Sequence, residues 1–190
     1  LDTPRKLQDF LNKLPQNFEK NGETCMSPRR VMKKNAAHCI EGALFAAAVL
    51  WHHGKRPLVM HLKTKSHDYD HVVALFKEKG YWGAISKTNH AVLRYRDGVY
   101  KTPRELAMSY FNEYFMDKTG EKTMVGYTMP IDLEKSSGSD WVTADDELWS
   151  VNDKLFHTRH KSIAPKSIMK KLRPADKIET KVMDVPEQTP

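Results

Sequence analysis

The chain has 190 residues, 39% of them hydrophobic and 29% charged, with two cysteines and a formal net charge of +7. That length fits one ordinary domain with flanking arms and can bury a sizeable core, and the composition excludes wholesale disorder. The longest apolar run, 43–51, falls well short of the roughly 18 residues that cross a bilayer, and no charged-then-apolar leader opens the chain, whose missing initiator Met fits processing.

The basic surplus is uneven. Residues 1–34 carry eight Lys/Arg against four Asp/Glu, residues 35–150 carry fourteen against fifteen, and residues 151–190 carry nine against five. A nucleic-acid reader usually places its cations on the folded face. Solvated arms are therefore the favoured reading. Nucleic-acid binding through Arg29-Arg30, Lys33-Lys34 and Lys170-Lys171-Leu172-Arg173 is the disfavoured one. Cys25 and Cys39 are too few for a secreted disulfide framework. They read as reduced thiols of a cytoplasmic protein, with a Cys25–Cys39 bridge as the weaker alternative.

Along the chain, Thr3-Pro4 opens a helix with Leu7, Phe10, Leu11 and Leu14 on one side, stopped by Pro15. Residues 16–34 read as polar and irregular. Asn35 is expected to cap a central helix that runs to about His53 and ends at Gly54, with small Ala43, Ala46, Ala47 and Ala48 admitting close neighbours. Residues 57–62 make an apolar strand, and 71–85 a hairpin turning at 77–80. Short strands are expected around Arg96-Asp97-Gly98. Thr102-Pro103-Arg104-Glu105 is a capping box for a helix that buries Leu106, Met108, Tyr110, Phe111, Tyr114 and Phe115 and stops near Gly120. A strand within 124–133 and a helix capped by Thr143 follow. From Thr158 apolar residues thin out and prolines recur, which predicts a tail that wraps the domain or is mobile. The organisation is thus 1–34, an N-terminal helix and basic arm; 35–157, an α+β core with C-terminal helices; and 158–190, a basic, Pro-containing tail.

One pair of residues carries chemistry. Cys39 stands near a helix start, where the dipole lowers a thiol pKa, and His71 opens a strand that packing can bring beside it as a proton acceptor. The plain alternative is a buried thiol acting as a small hydrophobe.

The order of Cys39-Ile40-Glu41-Gly42-Ala43-Leu44-Phe45-Ala46-Ala47-Ala48, then Gly54-Lys55-Arg56-Pro57, then Asp70-His71-Val72-Val73-Ala74-Leu75-Phe76, resembles the transglutaminase-like branch of the papain-like cysteine enzymes over about residues 35–90. The resemblance implies a papain/transglutaminase-like α+β fold, with a central helix starting near Cys39 packed on an antiparallel sheet. It implies a thiol nucleophile that attacks an amide carbonyl, without a cofactor. The following Tyr81-Trp82-Gly83-Ala84-Ile85-Ser86-Lys87-Thr88-Asn89 looks like the family's third-residue strand. Where the family has Asp this chain has Ser86, which brings no negative charge. Asn89, three positions on, is the other candidate to orient His71. Asn35 and His38 are the candidate side-chain donors to an oxyanion, beside the Cys39 backbone N–H.

The expected function is thiol-dependent acyl transfer: an amide or peptide hydrolase or a protein cross-linking enzyme, acting on a peptide, protein or small amide. The alternative is an inactive transglutaminase-like interaction domain, for which Ser86 argues. A metal site at His67 and His71 is the lesser enzyme-like reading, because i, i+4 ligands converge on a helix and this segment leads into a strand.

Overall fold

The computed structural model describes residues 1–189. Helix α1 spans Pro4–Lys13, with the Thr3 side chain accepting from the Lys6 N–H and proline in the first turn. A second helix, α2, spans Pro28–Lys34 within the stretch read as irregular, and Ser27 caps it in the same way. Ser27-Pro28 repeats the start signal of Thr3-Pro4: a hydroxyl cap followed by a proline whose missing N–H has no partner to lose. Asn35 does not cap the central helix. It closes α2 in the left-handed conformation, φ 53° and ψ 41°, a place that asparagine tolerates better than most residues. The central helix α3 is Cys39–His52, and its N-cap is His38.

The strands are β1 (Leu58–Lys63), β2 (His71–Glu78), β3 (Tyr81–Ile85), β4 (Arg96–Tyr100), β5 (Gly126–Thr128), β6 (Ile131–Asp132) and β7 (His160–Ser162). They form one antiparallel sheet in the order β4-β3-β2-β1-β5-β7, with β6 pairing β1 at Leu58 and Val59. The remaining helices are α4 (Pro103–Phe111), α5 (Leu133–Ser137), α6 (Trp149–His157), α7 (Lys166–Met169) and α8 (Lys177–Thr180). The chain is therefore α+β. Among the described residues no helix is long and apolar enough to cross a membrane.

Both faces of the sheet are covered, which is why β1 and β2 read as nearly continuous apolar runs rather than alternating ones. On one face Val59, Val72, Ala74, Phe76 and Ile85 pack with Leu7 and Leu11 of α1, Val31 of α2, and Ala43, Leu44, Ala46 and Ala47 of α3. On the other, Met60, Leu62, Val73, Leu75 and Ala84 pack with Leu106, Ala107, Tyr110 and Tyr114. Residues 1–34 thus supply part of the main core as well as charge. A truncation such as Leu11→Ala removes about 2–5 kcal/mol at a site of this kind.

Two further expectations are corrected. Helix α4 ends at Phe111, well before Gly120, so Tyr114 and Phe115 are buried beyond its end. Thr143 closes a short 3₁₀ turn, Asp140–Val142, and the helix expected there starts later, at Trp149. Part of the C-terminal segment wraps onto the sheet: β7 pairs β5 through Gly126–Ser162, Tyr127–Lys161 and Thr128–His160. One glycine is required by close approach. A Cβ on Gly42 of α3 would lie 2.4 Å from the Lys87 Cβ, so its absence lets the chain after β3 cross the start of α3.

Candidate functional site

Cys39 is the first residue of α3, and His71 is the first of β2. The helix lies along that strand, which brings the two starts to one end of the sheet. Both line a single cleft of about 460 Å³, together with His38, Gln16, Tyr114 and Asn89. Cys39 is half-buried and has no disulfide partner, and His71 is buried. The two imidazoles that act on the Cys39 thiol are those of His38 and His71. Burial opposes its ionisation, but those two imidazoles outweigh it and hold the thiol down to about 5 from an ordinary 9.0. The N-terminal dipole of α3 acts in the same direction.

Ser86 decides which His71 nitrogen faces the thiol. Its single hydroxyl proton goes to the Leu93 carbonyl at 2.5 Å. The Oγ, 2.8 Å from His71 Nε2, can then only accept there, so Nε2 carries a proton. This leaves Nδ1 for Cys39, as a base when neutral and as a donor when charged. Ser86 is itself held at both backbone ends by the buried Gln8 of α1. Gln8 Nε2 donates to the Ser86 carbonyl at 2.8 Å, and the Ser86 N–H donates to Gln8 Oε1 at 2.9 Å.

His38 is tied to the opposite wall. Its Nε2 lies 3.0 Å from the Thr24 carbonyl and 3.3 Å from Glu41 Oε1. Glu41 is fully buried one turn into α3. It accepts from Asn17, from the Thr24 hydroxyl, and from the Met26 and His38 backbone N–H groups. Among the described residues no Lys or Arg pairs with Glu41, so His38 is the only cation that can balance it. Burial works against both charges and is outweighed. The Cys39 thiol first, and then Glu41, raise His38 to about 11, and His38 lowers Glu41 to about 2. The thiolate therefore sits beside a standing imidazolium, with Nε2 of that ring already engaged by Thr24 and Glu41.

The other candidates fall elsewhere. Asn89 makes no bond to His71. Its side-chain amide holds the backbone of Gln188, donating from Nδ2 to the carbonyl and accepting at Oδ1 from the N–H, both at 2.9 Å. Asn35 is exposed at the end of α2 and does not line the cleft, because the three residues between it and α3 carry it away. Asp70 accepts from the Thr64 N–H and hydroxyl and lies 3.2 Å from His61 Nε2. His67 pairs with Glu121 at 3.1 Å. Among the described residues no group of three or more His, Cys, Asp or Glu is arranged to hold a metal ion. Of the basic residues, Arg29 pairs with Asp145, Arg30 with Glu147 and Arg173 with Asp176.

Four residues of the site were missed from sequence. Glu41 had a signal: a carboxylate three residues after the helix cap, where it bonds the cap's backbone N–H. Gln8 and Gln16 had none, since their roles depend on contacts across the fold. Tyr114 lines the cleft with a buried hydroxyl that has no partner among the described residues. Burial, and next the Cys39 charge, raise it well above 10.0, so it remains a donor. Its aromatic surroundings read more simply as core. No protein-family model matches the chain, and a search of curated proteins found none that matches it.

Proposed function

We propose that the protein is a cysteine-dependent acyl-transfer enzyme of transglutaminase-like type, with Cys39 as nucleophile and His71 as acid and base. The observation that carries this reading is the grouping of Cys39, His71 and Ser86: an acidified thiol at a helix start, sharing a cleft with an imidazole whose Nε2 is committed to a hydroxyl. The Cys39 proton passes to His71 Nδ1, which gives the thiolate. The sulfur attacks the carbonyl carbon of an amide, a C–S bond forms, and the carbonyl π pair moves to oxygen. The Cys39 N–H, unpartnered in the first helical turn, and the free Tyr114 hydroxyl supply donors for that oxyanion. His71 Nδ1–H then protonates the leaving nitrogen, the C–N bond breaks, and a thioester remains. Water gives a proton back to Nδ1 as its oxygen attacks the thioester. The C–S bond breaks, and acid and thiolate are regenerated.

Ser86 brings no charge, so it orients the imidazole without stabilising its cation. The His38–Glu41 pair offsets this from the other side, because a standing positive charge beside the sulfur favours the thiolate whether or not His71 is protonated. That division of labour answers the objection that Ser86 raises and favours an enzyme over an inactive scaffold.

The test is acid-quenched intact-mass analysis after mixing with peptide amides and esters. An acyl adduct on Cys39 is expected, absent from Cys39→Ala and longer-lived in His71→Ala. Full turnover in Cys39→Ala removes the nucleophile assignment. A Cys39 thiol of ordinary acidity that forms no adduct leaves the interaction-domain reading.

A further inference from the structure

The cleft continues into a second set of partners that the mechanism does not use. They are occupied by the protein's own residues 183–188. Met183 lines the same cleft as Cys39. Four and five residues on, the chain is gripped at two consecutive positions. The Glu187 N–H donates to the Asn89 carbonyl at 2.8 Å. The Asn89 side chain spans the next residue, taking the Gln188 N–H and giving to its carbonyl. These contacts read backbone only, as strand-like peptide capture does. Side chains are read separately. The Glu187 carboxylate accepts from Arg94 at 3.0 Å, and Arg94 is held by the His90 carbonyl at 2.8 Å. The Gln188 amide is matched at both ends: its oxygen accepts from the Gln16 N–H at 2.7 Å, and its nitrogen lies 3.4 Å from the Leu14 carbonyl.

That last pair of contacts distinguishes an amide from an acid. A carboxylate placed there would set an oxygen against the Leu14 carbonyl, at the negative C-terminal end of α1. The same carbonyl already accepts from Lys87 Nζ at 2.7 Å, and the missing Cβ of Gly42 is what lets Lys87 pass. Gln16 lines the cleft and Gln188 is bound to it, so the gripped dipeptide lies at the cleft's rim.

We propose that Asn89, Arg94, Gln16 and Leu14 form a docking subsite for an extended peptide carrying an acidic residue followed by glutamine, filled here by Glu187-Gln188 of the same chain. Resting on the acyl-transfer reading, this makes the substrate class a peptide or protein segment rather than a small amide. Such a segment takes the place of residues 183–188. In the intact chain the resident segment competes at the millimolar effective concentration typical of a short tether, so an outside peptide binds weakly until the resident grip is loosened.

The experiment uses the full chain and needs no turnover, so it stands apart from the fate of the acyl-transfer reading. A fluorescein-labelled peptide with the sequence of residues 182–189 is titrated by anisotropy into wild type and into the double variant Glu187→Ala, Gln188→Ala. Binding at least tenfold tighter to the double variant is expected. It should weaken about tenfold when the peptide carries Gln188→Glu, and again when the double variant also carries Asn89→Ala. Amide exchange in the wild type should show Glu187 and Gln188 protected, with protection lost in Asn89→Ala. Random-coil exchange of both amides in the wild type, or peptide binding indifferent to Gln188→Glu and to Asn89→Ala, overturns the proposal.

Discussion

The two cysteines lie near one carboxylate, Glu41, and experience it in opposite ways. Cys25 is buried, its N–H donating to Glu147 at 2.6 Å and its carbonyl accepting from Leu148. Burial first, then the charges of Glu41 and Glu147, push its thiol up to about 12. Cys39 is also disfavoured by burial but has imidazoles at hand, and its thiol falls to about 5. Glu41 reaches Cys25 as bare negative charge. It reaches Cys39 through His38, which it keeps charged, and so its sign is inverted. Burial alone makes a thiol inert; burial beside a compensated cation makes it a nucleophile.

Four measurements break or sharpen that contrast. The largest effect is alkylation by iodoacetamide at pH 6. Cys39 should react about 10³-fold faster than Cys25 or more, since its far larger thiolate fraction outweighs the lower intrinsic nucleophilicity of an acidic thiol. Comparable rates at the two positions erase the distinction. Next is Glu41→Gln. Loss of the carboxylate lets His38 discharge, so the midpoint of Cys39 alkylation should rise by a unit or more and its rate at pH 5 should fall about tenfold. An unmoved midpoint means that His38 is not the source of the acidity. Ser86→Ala should cost turnover about tenfold, on the scale of a lost orienting bond, with the alkylation midpoint nearly unchanged. A large midpoint shift would make Ser86 an electrostatic partner instead. The smallest is Asn35→Ala, which forces alanine into the left-handed conformation at the end of α2. It should cost about 1 kcal/mol in denaturant unfolding and leave Cys39 reactivity alone.

Stability follows the same charges. The folded-state pKa of Cys39 is depressed, so its contribution is complete above pH 9.0 and is lost as pH falls through about 5. His38 is raised, so its contribution is complete below pH 6.5 and is lost as pH rises through about 11. Between about 5 and about 11 the native thiolate and imidazolium coexist, and acidification through the lower limit should weaken the fold as it silences the thiol.

Elements whose signals are local were legible. The Thr3-Pro4 and Thr102-Pro103 starts, the hairpin of β2 and β3, and the buried alanine face of α3 all declare themselves within a few residues, and so does the Cys39-then-His71 order. Ser27-Pro28 carried the same start signal and was overlooked among polar neighbours. What was not legible depends on distance in sequence. Gln8 reaches Ser86 across 78 residues, and Asn89 meets Gln188 across 99. Asn35 was misjudged for a different reason: asparagine serves as readily in a left-handed helix end as in an N-cap, and only the residues after it decide. Ser86 and Asn89 are equally open in the sequence as orienters of His71. Ser86 makes the contact, which needs a lone pair and no charge.

The most direct test of the account is the rate of Cys39 alkylation followed from pH 4 to pH 10, with peptide mass analysis to separate it from Cys25. The account predicts a single rise centred near pH 5 and a plateau through neutrality, with Cys25 unreactive across the range. A rise centred near pH 8–9, the ordinary thiol range, would contradict it.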